Sequence, residues 1–170
     1  MRRLGLMLVA TLAGATLAAC GKSGGGQATG SEGQATPPAS APAPAELTDA
    51  QKQKLTAELP APYNAGDVAH GKSVFMICKS CHTTVSGAPN MTGPNLYGVF
   101  GRKAGTAAGF TYSDGLKASG ITWDAAHIDT WITNPKAVVA DTKMSFVGLK
   151  DPKDRTDLIA YLKTEVSPAP

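Results

Sequence analysis

Residues 78–82 read Cys78-Lys79-Ser80-Cys81-His82. This is Cys-x-x-Cys-His, the attachment pattern of a c-type haem. On a helix, positions i and i+3 share a face, so both thiols can meet the two vinyl edges of one haem. His82 follows directly and can bring its imidazole to the iron. Two other chemistries use a Cys-x-x-Cys pair. A thioredoxin-like redox pair expects a βαβ setting, and no strand-rich pattern surrounds this one. A four-ligand zinc site needs a second ligand pair. The third cysteine, Cys20, is far away in sequence, and His70 and His127 are isolated. The spacing therefore predicts one haem c bonded through Cys78 and Cys81, with His82 as an axial ligand.

A second axial ligand must come from elsewhere. Met144 is the best-placed candidate, in Thr142-Lys143-Met144-Ser145-Phe146. Met76 lies beside the attachment motif and Met91 only nine residues past His82. Neither has a long loop to carry it across a haem. Methionine is ordinarily core filler, so position alone leaves the assignment open.

The elements that position these residues belong to one small domain over residues 62–170. A chain of that size buries a modest core, which a covalent haem would enlarge. From residue 62 onward there are eleven Lys and Arg against nine Asp and Glu. That balance is not a nucleic-acid signature, and partner steering would rest on local charge. Three main helices are expected. The first starts at the N-cap Asp67 and carries Val68, Gly71, Phe75 and Met76 toward the motif. The second starts at Thr122, aligns Ile128, Trp131 and Ile132, and stops before Pro135. The third opens on Asp151-Pro152 and runs to about Thr164 with Leu158, Tyr161 and Leu162. Between the first two, glycine and proline are dense, which predicts turns with short helical pieces at most. No alternating pattern argues for a sheet, so the fold class is all-α.

Upstream, Arg2 and Arg3 precede an apolar run over 4–17, the build of a signal peptide over 1–19. The run is shorter than the roughly 20 apolar residues of a membrane span. Leu17-Ala18-Ala19-Cys20 resembles a bacterial lipobox, which makes Cys20 a lipidated residue after export. Residues 20–45 form a Gly/Ala/Pro-rich tether that cannot bury enough surface to fold. At about 25 residues its reach is roughly 30 Å. Residues 46–61 read as a short helix or linker. Thr48 and Gln51 can form a capping box, Leu47, Leu55 and Leu59 share a face, and Pro60 marks the end.

From residue 66 to 163 the chain resembles class I cytochrome c of the mitochondrial and α-proteobacterial type. The matching runs begin with Gly66-Asp67, Gly71, Phe75 and 78–82, followed by Thr92-Gly93-Pro94-Asn95-Leu96 and Gly98. They continue through Phe100-Gly101-Arg102-Lys103, Gly109-Phe110-Thr111-Tyr112 and Gly120-Ile121-Thr122-Trp123. They end with Asn134-Pro135-Lys136, Thr142-Lys143-Met144 and 157–163.

The resemblance implies a class I cytochrome c fold, three main helices and Gly/Pro-rich loops around one covalent haem. It implies Met144 as the second iron ligand and the Pro94 carbonyl as acceptor for the other His82 N–H. Arg102, Tyr112, Trp123 and Thr142 would meet the haem propionates. Gly71, Phe75, Leu158 and Tyr161 would join the first and last helices. Lys136, Lys143 and Lys150 match members of a basic docking ring. Three places depart from the mitochondrial pattern. Trp131 replaces a tyrosine that often bonds the methionine sulfur, Val139-Ala140-Asp141 replaces a Pro-Gly turn, and Ile77 replaces a lysine.

The function implied is one-electron transfer, not enzyme catalysis, by a monomer lipid-anchored on the periplasmic side of a bacterial membrane. Quinol:cytochrome c oxidoreductase would be the donor and a terminal oxidase the acceptor, with no nucleic-acid partner. The competing reading is a peroxidase-like haem enzyme or gas sensor in which Met144 is labile.

Overall fold

The structure is a computed structural model and describes residues 47–167. The expected signal peptide, the expected lipidation site Cys20 and the expected tether therefore lie outside the described residues. Six α-helices and one 3₁₀ turn occur among the described residues: α1 (Asp49–Ala57), the turn Tyr63–Ala65, α2 (Val68–Lys79), α3 (Asp114–Ala118), α4 (Ala125–Thr133), α5 (Pro135–Val138) and α6 (Pro152–Val166). No strand forms among these residues, only an isolated antiparallel bridge between Lys103 and Thr122. The all-α class is as expected.

The long helices begin where short polar side chains satisfy free N–H groups. Asp67 Oδ1 accepts from the N–H groups of Ala69 and His70 at 2.9 and 3.0 Å. Asp151 accepts from Lys153 N–H at 2.7 Å, and Pro152 occupies the first helical position, where a missing N–H costs nothing. Helix α6 is buried around most of its circumference because α1, α2 and α4 all pack on it.

Helices α2 and α6 make the closest contact. Gly71 is buried there, and a Cβ on it would collide with the Asp157 backbone carbonyl. Only glycine lets the two backbones approach this far. Phe75 and Tyr161 pack at a tilt beside it, with centroids 5.4 Å apart and ring planes 50° to each other, and Leu158 is 2 % exposed. Met76, on the same helix, faces solvent instead at 60 % exposure.

Polar contacts seal the same interface. The buried Asp157 accepts from Asp67 N–H at 2.9 Å, pairs with His70 Nδ1 at 2.8 Å and takes Lys153 Nζ at 2.5 Å. Burial pushes the Asp157 carboxyl up, but Lys153, the Asp67 N–H and His70 outweigh it and hold it below the usual range.

The short helix expected within 46–61 forms as α1 and docks on α6. Its capping box between Thr48 and Gln51 is complete. Leu55 and Leu59 are buried, and Glu58 pairs with Lys163 of α6 at 3.1 Å.

The second main helix starts at Ala125, not at Thr122. Asp124 is its cap, and the backbone of residues 121–123 is already committed elsewhere. Ala104 N–H donates to Ile121 O, Trp123 N–H to Arg102 O and Gly101 N–H to Trp123 O, at 2.7–2.9 Å. This ladder brings Arg102 and Trp123 together. Helix α5 was not foreseen: Pro135 ends α4 and also opens a further turn capped by Asn134.

Candidate functional site

A cleft of ≈ 310 Å³ opens among α2, α4, α6 and the loops between them, with mainly apolar walls that include Phe75, Leu96, Val99, Ile128 and Leu158. That is within the range of small-ligand and cofactor sites, about 300–1,000 Å³. Cys78, Cys81, His82, Pro94, Arg102, Tyr112, Trp123, Thr142 and Met144 all line it. The structure thus gathers every residue expected at the cofactor into one cavity, although His82 and Met144 are far apart in sequence.

On the histidine side the geometry follows from the end of α2. The N–H groups of Cys81 and His82 both donate to the Cys78 carbonyl at 3.0 Å, turning the chain so that His82 enters the cleft. His82 Nδ1 lies 2.8 Å from the Pro94 carbonyl oxygen. A carbonyl only accepts, so Nδ1 carries the proton and Nε2 keeps its lone pair. Burial pushes the imidazole below its usual pKa, against the opposing pull of the Pro94 carbonyl, and so favours the neutral ligand form.

Gly93 is buried against the ring, and a Cβ there would run into the imidazole. Asn95 organises the loop that presents Pro94. Its amide donates to the carbonyls of Val85 and Ala88 at 2.8 Å, and its oxygen accepts from Tyr97 N–H at 2.8 Å. The roles of Gly93 and Asn95 were not foreseen. Both belong to the Thr92-Gly93-Pro94-Asn95-Leu96 run, which was the available signal.

Cys78 is a half-buried free thiol pushed up to about 11, first by burial and then by Cys81. Two free cysteines one helical turn apart in an apolar wall suit thioether attachment.

On the methionine side the chain is a loop. Thr142 Oγ1 accepts from Met144 N–H at 3.2 Å, and the Trp131 indole N–H donates to Met144 Sδ at 3.2 Å. The indole therefore replaces the phenol that often serves this sulfur in the resembled pattern. Trp131 is itself wedged edge-on against Trp123, centroids 5.4 Å apart.

Arg102 supplies charge at the cleft. Its guanidinium donates to the carbonyls of Tyr97 and Asn95 at 3.1 Å, and it is in none of the ion pairs found among the described residues. Burial pushes its pKa down, while burial pushes the neighbouring Tyr112 up. A half-buried cation beside a phenol and an indole is a donor set suited to carboxylates. Two thiols, a neutral imidazole, a thioether and this donor set in one apolar cleft fit a covalent haem.

Of the expected docking lysines, Lys143 borders the cleft and donates to Thr111 O at 3.1 Å. Lys150 donates to Thr133 O at 2.8 Å. Lys136 is exposed on α5, away from the cleft lining.

Residues 68–165 match the family described as Cytochrome c. A protein named Cytochrome c2 from Rhodomicrobium vannielii is 52 % identical over 103 residues, 61 % of this chain and 82 % of that protein. Cytochrome c2 of Rhodoplanes tepidamans is 52 % identical over 96 residues, 56 % of this chain and 90 % of its own. Cytochrome c of Kluyveromyces lactis is 42 % identical over 105 residues, 61 % of this chain and 96 % of its own.

Proposed function

The chain belongs to the cytochrome c family, and from that premise we propose that it is a single-haem carrier with His82 and Met144 as iron ligands. It is a haem-binding electron carrier whose cofactor is haem c, bonded through Cys78 and Cys81. When bound, this group supplies a one-electron couple, raised in potential by His/Met ligation. The observation that carries the ligation is the His82–Pro94 bond at 2.8 Å, which leaves Nε2 as the free nitrogen in the cleft that Met144 also lines.

The residues divide the work. Pro94 fixes the imidazole tautomer. Trp131 occupies one lone pair of the Met144 sulfur and orients the other. Arg102, Tyr112, Trp123 and Thr142 offer donors to the haem propionates. The apolar walls exclude water and keep the dielectric low around the couple.

The carrier reading extends to the membrane. Cys20 carries lipid on the periplasmic side, and residues 20–45 let the folded domain move between respiratory complexes. Quinol:cytochrome c oxidoreductase is the donor and a terminal oxidase the acceptor. Lys136, Lys143 and Lys150 contribute to docking. Among the described residues no helix is long and apolar enough to cross a membrane. Electron transfer requires no open iron position, so the protein acts as a carrier and not as a catalyst.

Absorption spectra of the oxidised and reduced protein test the ligation. Low-spin c-type bands with the weak far-red methionine–Fe(III) band are expected. A high-spin haem, or a ferric spectrum without that band, would remove Met144 as ligand.

A further inference from the structure

The loop that carries Met144 leaves α5 at Val139, which is 7 % exposed and anchors its start. Its N–H donates to Pro135 O at 2.9 Å, and Thr142 N–H returns to Val139 O at 3.1 Å. Between these points Asp141 leaves the loop and reaches α3. Its Oδ2 accepts the Gly115 N–H at 2.9 Å. Gly115 lies in the first turn of α3, where N–H groups have no partner inside the helix. Ser113 Oγ serves Leu116 N–H at 3.3 Å, and Asp141 serves the one before it.

Gly115 does not sit in the left-handed region, so its backbone conformation does not call for glycine. Inside a helix glycine costs stability relative to alanine. Its use here is room, because a Cβ would run into the Asp141 carboxylate. A second clasp joins the same two segments: Lys143 Nζ donates to Thr111 O at 3.1 Å, two residues before the α3 cap. The loop is thus fastened to residues 111–115 from both sides of Thr142.

We propose that Asp141 and Gly115 form a latch that holds the methionine loop against α3, so that the lifetime of Met144 at the iron is set partly from outside the haem cleft. This rests on Met144 being the ligand. Asp141 is a positioning residue that acts through the loop and touches no haem-binding group. What the latch needs is an acceptor oxygen at residue 141 and no side chain at residue 115. Asparagine therefore serves in place of aspartate, and alanine at either position does not.

The test is the rate at which imidazole binds the iron of the ferric holoprotein, a step that requires Met144 to leave. Asp141→Ala is expected to speed binding about fivefold, the effect of one hydrogen bond on an opening equilibrium, while Asp141→Asn stays within about twofold of wild type. Gly115→Ala is expected to match Asp141→Ala although it favours helix α3, which separates loss of the latch from loss of stability. A wild-type rate in either alanine variant would overturn the latch, as would an asparagine variant as fast as the alanine one. A wild-type ferric protein lacking the far-red methionine band would instead sink the ligation itself. Amide exchange at Gly115, slow in wild type and fast in Asp141→Ala, reads the contact without reference to the iron. Equal exchange in the two proteins would also overturn the latch.

Discussion

The two sides of the cleft are held by different physics. His82 hangs from the end of α2, a helix locked to α6 through Gly71, Phe75, Leu158 and Tyr161. Met144 hangs from a loop with no helix of its own, held by single hydrogen bonds from Trp131, Thr142, Asp141 and Lys143. Packing of a helix pair opens only with the whole fold, whereas bonds at a solvent-exposed loop open locally. The histidine side should therefore be inert and the methionine side exchangeable.

The strongest way to break the comparison is to attack the helix pair. Gly71→Val forces a branched side chain against the Asp157 backbone and is expected to cost about 3 kcal/mol of unfolding free energy in a urea melt. A loss under half of that would mean the pair is not close-packed.

Asp157→Asn is expected to cost about 2 kcal/mol at neutral pH, the worth of a buried charge-assisted bond. The Asp157 carboxyl is held below its ordinary value in the fold. Its stabilisation is therefore full above about pH 4, the unfolded value, and lost as pH falls through the lowered one. The variant should show a shallower acid limb below pH 4. An unchanged limb would show that the charge is not held there.

A change on the other side sharpens the contrast, because it should leave global stability nearly intact. Trp131→Phe keeps the aromatic packing but removes the N–H donor to the Met144 sulfur. About 1 kcal/mol of preference for the reduced state is expected to go, a fall in potential on the order of 40 mV for one electron. A potential that stays or rises would mean the indole does not tune the sulfur. The smallest effect concerns docking. Lys136→Gln is expected to slow association with a partner cytochrome complex about twofold at low salt, vanishing at high ionic strength. A wild-type rate that is flat with salt would remove the basic face.

Much of the histidine side was legible because its signals are local. Cys-x-x-Cys-His spans five residues, and the caps Asp67 and Asp151-Pro152 announce their helices in two or three. The capping box at Thr48 likewise marked α1, although only packing on α6 through Leu55 and Glu58 shows that it is docked.

The methionine side was less legible. Position alone could not choose Met144, and the resemblance did. Thr122 looked like a helix start because its competitor, the pairing with residues 101–104, lies about twenty residues upstream. Asp141 read only as a departure from a Pro-Gly turn, since its partner Gly115 is 26 residues away and carries no side chain. Trp131 was noted as a substitution, and its bond to sulfur needed coordinates.

The most direct measurement follows both sides in one sample. The ferric holoprotein is titrated with urea while the far-red methionine–iron band and far-ultraviolet circular dichroism are recorded together. The account predicts that the band disappears at a urea concentration well below the helical transition, with the haem still attached. Loss of both signals in one transition, or a band that was never present, would contradict it.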